Sequence, residues 1–177
     1  CDMTASYSTT DGGSSWRMFT LRGVVHNYIF DPLDSAVVYA IVQGHSGGLF
    51  KSEDTGNTWK LLYPAPDEVI GIVAKGDHAD EVMVTKDSTR RDVVALAIDP
   101  ENSAKLFAAI QISEITALYV SDDGGLRWRK VKELKEGAKN IYVDPGSPKE
   151  NRTVYIAGKQ TITVIKNGIW SINKGPE

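Results

Sequence analysis

Short runs of β-favouring residues, each bounded by turn residues, recur along most of the chain. Val, Ile, Tyr and Phe are frequent in them, and Gly, Pro, Asn and Asp separate them, which favours strands over helices. The predicted strands form three sets of four: Val24–Phe30, Val37–Val42, Gly48–Glu53, Thr58–Tyr63; Val93–Asp99, Leu106–Ile112, Ala117–Asp122, Arg127–Lys132; Ala138–Asp144, Thr153–Gly158, Thr161–Lys166, Gly168–Asn173. Ala5–Thr10 and Ser15–Phe19 look like the second half of an earlier set. We therefore expect an all-β protein.

The four tryptophans indicate that these sets are copies of one repeat. Trp16, Trp59, Trp128 and Trp170 are 43, 69 and 42 residues apart, so the middle interval is one period plus an insertion. A second landmark keeps the same register. Three Asp-Pro pairs each precede a turn residue by nearly the same distance. Asp31 is 23 residues before Asp54, Asp99 is 24 before Asp123, and Asp144 is 23 before Asn167.

Each tryptophan ends a related segment. The clearest copy is Ser52-Glu53-Asp54-Thr55-Gly56-Asn57-Thr58-Trp59, close copies end at Trp16 and Trp128, and a shortened one ends at Trp170. The pattern Ser-x-Asp-x-Gly-x-Thr-Trp resembles the Asp-box, or bacterial neuraminidase repeat, of β-propellers. The resemblance implies a β-propeller whose blades are four-stranded antiparallel sheets.

The repeat divides the sequence into parts of one propeller domain. A half blade occupies residues 1–20, three blades occupy 24–63, 93–132 and 138–173, and an insertion occupies 64–92. Propellers typically have four to eight blades. About three and a half blades should therefore leave an incomplete ring, which we expect the remainder of the propeller to complete from the same or another chain.

The insertion lies on the face where propellers usually bind ligands. In an up-and-down sheet, the second turn and the connection to the next sheet share one edge, and residues 64–92 form such a connection. Loops longer than about 12–15 residues in compact domains are usually functional or disordered. Val69–Val73 and Glu81–Thr85 are predicted to form a hairpin arm that turns at Gly76-Asp77-His78.

Candidate ligand-binding residues lie in the loops of this face. His45 is flanked by glycines that permit close approach, and His78 lies beside the carboxylates of Asp80 and Glu81. Arg22 lies in another loop of the same face. The alternative for each is an ordinary turn or a solvated loop. The group around His78 has no recognised metal-ligand spacing, so no metal is expected.

The segment that contains Asp2 resembles a catalytic motif. Asp2-Met3-Thr4-Ala5-Ser6-Tyr7 is similar to the Thr-Asp-x-Gly-Gly-x-Tyr stretch of xyloglucan-active glycoside hydrolases of family 74, which are also Asp-box propellers. In that family the aspartate is a catalytic carboxylate, so the resemblance implies this role for Asp2. Cys1 replaces the threonine of the motif, and Thr4-Ala5 replace its glycines. Glycosidases generally use two carboxyl groups, and the second one of the family lies in a later propeller domain.

The Asp-box residues themselves are expected to be structural. An aspartate in a tight glycine-containing turn accepts backbone N–H bonds, and the following tryptophan packs between sheets. Recurrence once per blade also favours structure over catalysis. The residues are Asp11, Trp16, Asp54, Trp59, Asp123, Trp128 and Trp170.

Composition narrows the possible partners and location. The 20 basic and 23 acidic residues are interspersed, so the sequence shows no basic patch for nucleic acid. No apolar run approaches the roughly 20 residues of a membrane-spanning helix. Cys1 is the only cysteine and excludes an internal disulfide. We expect it to mark a cut in a longer chain, with lipid attachment as the alternative. No phosphate-binding glycine loop indicates a cofactor.

Two function classes fit these observations. The first is a secreted carbohydrate-active propeller, extracellular or periplasmic and glycoside hydrolase-like, that binds a polysaccharide or oligosaccharide on the face of Asp2 and the 64–92 arm. The alternative is a non-catalytic interaction or assembly propeller, similar to photosystem assembly factors or sortilin-like receptors. A sialidase is less favoured because no Phe/Tyr-Arg-Ile-Pro segment occurs.

Overall fold

A computed structural model of the chain describes residues 7–18, 21, 24–44, 47–75, 80–89 and 91–175. The chain divides into two compact units. Unit 1 comprises Cys1–Phe30 and Asp34–Lys86, and unit 2 comprises Asp31–Leu33 and Asp87–Glu177. The described helical structure is limited to two three-residue 3₁₀ turns, Pro66–Glu68 in unit 1 and Lys149–Asn151 in unit 2.

Unit 1 contains one four-stranded antiparallel sheet and two smaller ones. Neighbouring strands are consecutive in the chain, as expected for up-and-down connections. The two-stranded pair is β1 and β2, the four-stranded sheet is β3 to β6, and the hairpin is β7 and β8. Their bounds are β1 Tyr7–Ser8, β2 Arg17–Met18, β3 Val24–Phe30, β4 Val38–Gln43, β5 Gly48–Ser52, β6 Lys60–Tyr63, β7 Val69–Lys75 and β8 Asp80–Thr85.

The core of unit 1 is built around β4. Its residues from Val38 to Val42 are all buried, so both faces of this strand are covered. The continuous apolar run Val-Tyr-Ala-Ile-Val suits such a strand. At the start of β5, a Cβ on Gly48 would lie only 2.5 Å from the carbonyl oxygen of Tyr63. Glycine therefore allows β5 and β6 to approach each other beside the bulge between Leu49 and Phe50.

Unit 2 consists of two four-stranded antiparallel sheets. The first contains β9 to β12 and the second β13 to β16, again with neighbours consecutive in the chain. Their bounds are β9 Arg91–Asp99, β10 Asn102–Ile112, β11 Ile115–Ser121, β12 Arg129–Glu133, β13 Asn140–Val143, β14 Val154–Ala157, β15 Thr161–Lys166 and β16 Ile169–Lys174.

The two sheets of unit 2 share one hydrophobic core. Side chains alternate between the faces of a strand, so every second residue points to it. Small residues of β9 and larger ones of β10 and β11 meet aliphatic residues of β13 and β14. The core residues are Ala95, Ala97, Phe107, Ala109, Leu118, Val120, Ile141, Val143, Val154 and Ile156. Trp170 packs against this cluster, and the ammonium of Lys132 lies 4.9 Å from the centre of its ring.

The strand register places the four tryptophans at equivalent positions. The residue after each tryptophan pairs with the third strand of its sheet, or with β1 in the two-stranded pair. The pairs are Arg17 with Ser8, Lys60 with Lys51, Arg129 with Val120 and Ser171 with Val164. In the three larger sheets these third-strand residues face Tyr39, Phe107 and Tyr155 of the second strands. The predicted equivalence is confirmed.

The predicted strands and the predicted hairpin of the insertion are found, with shifts at their ends. β7 and β8 pair antiparallel from Val69 with Thr85 to Lys75 with Asp80. β10 begins at Asn102 rather than Leu106, because a register shift between these residues lets the strand continue across an irregular stretch. The all-β class with four-stranded antiparallel sheets is confirmed.

Candidate functional site

Most of the predicted ligand-face residues lie outside the residues that the structure describes. These are Asp2, Arg22, His45 and His78, together with the side chains of Asp80 and Glu81. Their roles therefore remain predictions. The described part of the chain nevertheless shows the turns at one edge of the sheets and, in unit 2, a cleft at the other.

The turn after β5 is closed by Ser52 and Asp54. The Ser52 hydroxyl donates to Asp54 Oδ1 at 2.8 Å and accepts from the amide of Gly56 at 2.8 Å. Asp54 Oδ1 also accepts from the amide of Thr58 at 2.8 Å, and Oδ2 accepts from its hydroxyl at 2.7 Å. Hydrogen bonds from Thr58 are the main cause that lowers the pKa of Asp54 from 3.8 to about 2.

The same bonds recur at Asp11 and Asp123. Asp11 Oδ1 accepts from the Ser15 amide at 2.8 Å, and Asp123 Oδ1 accepts from the Arg127 amide at 2.9 Å. The Thr9 hydroxyl donates to Asp11 as the Ser52 hydroxyl donates to Asp54, and the Ser121 hydroxyl does the same for Asp123. Both oxygens of each aspartate are used within the turn, which leaves these carboxylates little capacity for a substrate.

The fourth turn is a shorter structure. Asn167 and Gly168 have positive φ angles of 52° and 71°, and Lys166 pairs with Ile169 across them. This is the geometry of a two-residue type I′ hairpin, for which Asn-Gly is the preferred sequence. The segment is thus not a distorted copy of the longer turns.

At the opposite edge of the sheets, unit 2 contains a cleft of about 610 Å³. Three segments form it: the β10–β11 turn, the β12–β13 connection and the β14–β15 turn. We call this edge of unit 2 the loop edge. The residues that line the cleft are Gln111, Glu114, Thr116, Leu134, Lys135, Glu136, Gly137, Lys159 and Gln160.

Glu136 joins two of the segments that form the cleft. Its Oε2 accepts hydrogen bonds from the Gln160 amide at 3.1 Å and from the Thr161 hydroxyl at 2.9 Å. The bond from the Gln160 amide is the largest influence that lowers the pKa of Glu136. The residue is therefore a carboxylate at neutral pH, suited to accept hydrogen bonds and not to donate a proton.

A hydrogen bond also fixes the third segment. The amide of Leu134 donates to the carbonyl oxygen of Thr116 at 2.9 Å, which joins the β12–β13 connection to the start of β11. Gly137 has a φ of 72°, a conformation that glycine adopts without strain. The backbone of all three segments is thus held independently of any ligand.

The charged groups at the cleft form no ion pair at contact distance within the described part of the chain, although the charge of Lys159 contributes to the lowered pKa of Glu136. Lys135, Lys159 and Glu114 are exposed. Gln111, Leu134, Glu136 and Gly137 are half-buried, and Thr116 is buried. The cleft therefore has a floor that carries acceptor oxygens and a rim that carries two ammonium groups and one carboxylate.

Sequence reasoning missed these residues, although a signal for them existed. Residues 113–116 and 133–137 belong to the predicted ligand face, yet the candidates were chosen for histidine and for clustered carboxylates. The β14–β15 turn lies at the same edge by the same alternation of strands. Placing all second turns together would have identified Lys159 and Gln160.

The edge of unit 2 that carries the Asp-Pro turns is occupied by a buried ion pair. Arg152, just before β14, donates to both carboxylate oxygens of Asp99, the last residue of β9. Arg152 Nη2 also donates to Glu101 Oε2 at 2.6 Å, and the hydroxyl of Ser103 donates to Asp31 at 2.7 Å. These polar groups satisfy one another, so we assign them a structural role.

Metal-binding groups and membrane-spanning helices are not found in the described residues. No set of three or more His, Cys, Asp and Glu side chains among them could hold a metal ion. No helix in the same residues is long and apolar enough to cross a bilayer.

Solved structures share this architecture. An ancestral GH74 enzyme is similar over 100% of this chain and 22% of its own, with a TM-score of 0.65 and 19% identity. The GH74 enzyme of Niastella koreensis gives a TM-score of 0.45 and 15% identity, over 93% of this chain and 34% of its own. The structure of YCF48 bound to a D1 peptide gives a TM-score of 0.38 and 16% identity, over 97% of this chain and 62% of its own. No protein-family model and no curated protein matches the sequence.

The likeness to the ancestral GH74 enzyme establishes the fold class. The chain is a β-propeller with four-stranded antiparallel blades, of which about three and a half are present. It spans about a fifth of the length of the ancestral GH74 enzyme. At 19% identity the similarity shows the fold alone, so the activity has to be argued from the site.

Proposed function

We propose that this protein is a secreted, glycoside hydrolase-like propeller that binds a polysaccharide or oligosaccharide. The observation that carries the proposal is the unit 2 cleft, which lies on the loop edge and is lined by a half-buried carboxylate, amide groups and exposed ammonium groups. An extracellular or periplasmic location follows from such a substrate. The GH74 likeness of the fold supports the carbohydrate class.

The chemistry of the cleft favours a neutral hydroxylated ligand. The charged residues that line the cleft are two lysines, Lys135 and Lys159, and two glutamates, Glu114 and Glu136. Their charges are balanced, so the cleft as a whole favours neither an anion nor a cation. A sugar hydroxyl both donates and accepts hydrogen bonds, so it can use the floor and the rim together. A cleft of this kind binds its ligand by a few placed polar groups.

Binding is tested directly with oligosaccharides. A xyloglucan oligosaccharide and cellohexaose are titrated into the protein, and binding is followed by calorimetry and by NMR. We expect Lys159→Ala to weaken the binding. Lys166→Ala is the matched control, because Lys166 is an exposed lysine at the far end of β15. Binding that is lost equally in both variants, or absent from the unmodified protein, would refute the proposal.

Catalysis is the finer part of the proposal and rests on Asp2. Hydrolysis of a glycosidic bond needs a second carboxyl group about 5–10 Å from the first. We propose that Asp2 is one of the pair and that the other is supplied by the remainder of the propeller. Asp2→Asn should abolish hydrolysis of xyloglucan by the complete protein and leave binding intact. Unchanged hydrolysis would remove Asp2 from the mechanism.

The insertion arm is proposed to contribute to the same ligand face. Its hairpin would present His78, Asp80 or Glu81 to the ligand, with His45 and Arg22 in neighbouring loops. Deleting Gly76–Glu81 should weaken oligosaccharide binding and leave the melting temperature within a few degrees, since a loop tip adds little burial. Unchanged binding would restrict the arm to a structural role.

A specific feature favours the alternative of a protein-interaction or assembly propeller. Ile70 and Ile72 of β7 are 63% and 59% exposed, on a strand of the insertion arm. An exposed aliphatic pair suits a protein partner better than a sugar. Replacing both by serine should leave oligosaccharide binding unchanged if the first proposal is correct, and should abolish capture of a protein partner if the alternative is.

The last sheet supports the expectation that further blades complete the propeller. Tyr142 and Tyr155 occupy the register positions that Ala97 and Phe107 hold in the preceding sheet. Phe107 is 6% exposed because the next sheet covers it, whereas Tyr155 at the equivalent position is 38% exposed. We propose that a further four-stranded sheet of the same repeat covers this face, with aliphatic residues at the positions of Val143 and Val154.

A further inference from the structure

We propose that Glu136 both shapes the cleft and binds its ligand, with Oε2 holding the β14–β15 turn and Oε1 accepting a hydrogen bond from a sugar hydroxyl. The second role rests on the proposed function, whereas the first is a property of the free protein. The sequence motifs gave no indication of either role.

The positioning role follows from where the partners of Oε2 lie. Glu136 is in the β12–β13 connection, and Oε2 accepts from the Gln160 amide and the Thr161 hydroxyl, at the end of the β14–β15 turn. Both Lys159 and Gln160 line the cleft. One carboxylate oxygen thus sets the distance between the two sides of the cleft that carry Lys135 and Lys159.

The packing around Gly158 shows that Glu136 is held closely. A Cβ on Gly158 would lie 3.3 Å from Glu136 Oε2 and 3.4 Å from Glu136 Cβ. The turn is also closed by the Gly158 amide, which donates to the Thr161 carbonyl at 2.8 Å. A side chain at position 158 would therefore push the turn away from Glu136.

The binding role follows from the second oxygen. Within the described residues, both hydrogen bonds to Glu136 that are at contact distance go to Oε2, and the Thr161 amide and the charge of Lys159 also act on the same carboxylate. Glu136 is half-buried and lines the cleft. A hydrogen bond to a charged acceptor is stronger than one between neutral groups. A ligand hydroxyl that reaches the floor of the cleft would find this acceptor already oriented.

Two variants separate the roles. In Glu136→Ala we expect the Gln160 amide to exchange its hydrogen about 10-fold faster in the absence of ligand, because its acceptor is lost. The same variant should weaken binding of a xyloglucan oligosaccharide by about 10-fold or more. Glu136→Gln keeps one oxygen for the turn, so the Gln160 amide should exchange at nearly the original rate while binding falls by about 3-fold or more.

Glu133→Ala is the matched control. Glu133 is in the same stretch of chain, does not itself line the cleft, and pairs with Lys130 at 2.7 Å. We expect it to change neither amide exchange at Gln160 nor binding. Unchanged exchange in Glu136→Ala would overturn the positioning role, and full binding by Glu136→Gln would overturn the contact.

A protein that binds no oligosaccharide at all would refute the proposed function together with the contact role. The positioning role would then still be decided by amide exchange at Gln160, which needs no ligand. If Glu136→Ala does not fold, the exchange and binding of Glu136→Gln and of Thr161→Val give the answer, because Thr161→Val removes only one donor to Oε2.

Discussion

Arg152 and Asp99 form a buried ion pair with two hydrogen bonds that joins the two sheets of unit 2. Arg152 Nε lies 2.8 Å from Asp99 Oδ2, and Nη2 lies 2.9 Å from Oδ1. The two side chains are 1% and 2% exposed. Burial is the largest single influence and raises the pKa of Asp99, but the hydrogen bonds from Arg152 and the Glu101 amide, together with the charges of Arg152 and Lys105, bring the pKa below its ordinary value. The pair is therefore charged in the folded protein.

Removing one member of this pair should destabilise unit 2 severely. Arg152→Met leaves the Asp99 carboxylate buried without its partner, and broken buried pairs cost about 3–5 kcal/mol. We expect the melting temperature to fall by on the order of 6–20 °C. Arg129→Met is the control, since Arg129 is exposed on β12. Equal effects of the two variants on thermal unfolding would contradict the prediction.

The turns that Ser52 and Ser121 close should depend on their hydroxyl groups. In the unmodified protein the Gly56 amide donates a hydrogen bond to Ser52 Oγ, and Ser52→Ala removes this acceptor. An unsatisfied buried group costs about 1–3 kcal/mol, and Ser121→Ala should cost a similar amount. Ser14→Ala removes only an exposed 3.2 Å bond to a carbonyl, so urea unfolding should show little change. A large effect of Ser14→Ala would argue against this reasoning.

The aspartates of the turns make stability depend on acid pH. The pKa of Asp11 and of Asp54 is lowered from 3.8 to about 2 in the folded protein. The unfolded chain therefore binds more protons than the folded protein in this pH range. The stabilisation that the two aspartates contribute is complete above about pH 4 and is lost as the pH falls through 2. The melting temperature should be level down to pH 4 and fall below it.

The variant Asp54→Asn tests whether this aspartate causes the decline in melting temperature below pH 4. Asp54→Asn should lower the melting temperature at pH 6, because the charged acceptor is lost, and should make the decline between pH 4 and pH 2 shallower. A decline of the same slope in the variant would assign the acid sensitivity to other carboxylates.

A side chain at the second position of the type I′ turn should destabilise the protein. Gly168 has a φ of 71°, and an L-residue in that region is strained by about 1–2 kcal/mol. Gly168→Ala should lower the free energy of unfolding by about that amount. Gly71→Ala is the comparison, because a Cβ there meets nothing within 4 Å. Denaturant titrations of both variants would test this, and equal destabilisation would count against it.

Much of this fold could be predicted from the sequence because it repeats. The spacing of the tryptophans and of the Asp-Pro pairs indicated the period, and the short runs between turn residues predicted four strands in each period. The three four-stranded sheets confirm that number. The hairpin from Val69 to Thr85 was also predictable, because its two runs are β-branched and flank a glycine. Local periodicity is sufficient for such elements.

The cleft could not be predicted in the same way. Glu136 and Gln160 are ordinary polar loop residues in the sequence, 24 residues apart. Only the pairing of β13 with β14 and β14 with β15 brings them together. The buried pair of Arg152 and Asp99 escaped for the same reason, since nothing local distinguishes Arg152 from the exposed arginines.

The two-residue turn at Asn167 and Gly168 has a consequence for how such proteins are recognised and counted. It replaces the longer aspartate turn, yet Trp170 keeps the register of Trp128. A sheet of this repeat can therefore form without the aspartate turn. Counting aspartate turns would find three of the four tryptophan-bearing segments of this chain, whereas the tryptophan and the strand partner of its successor mark all four.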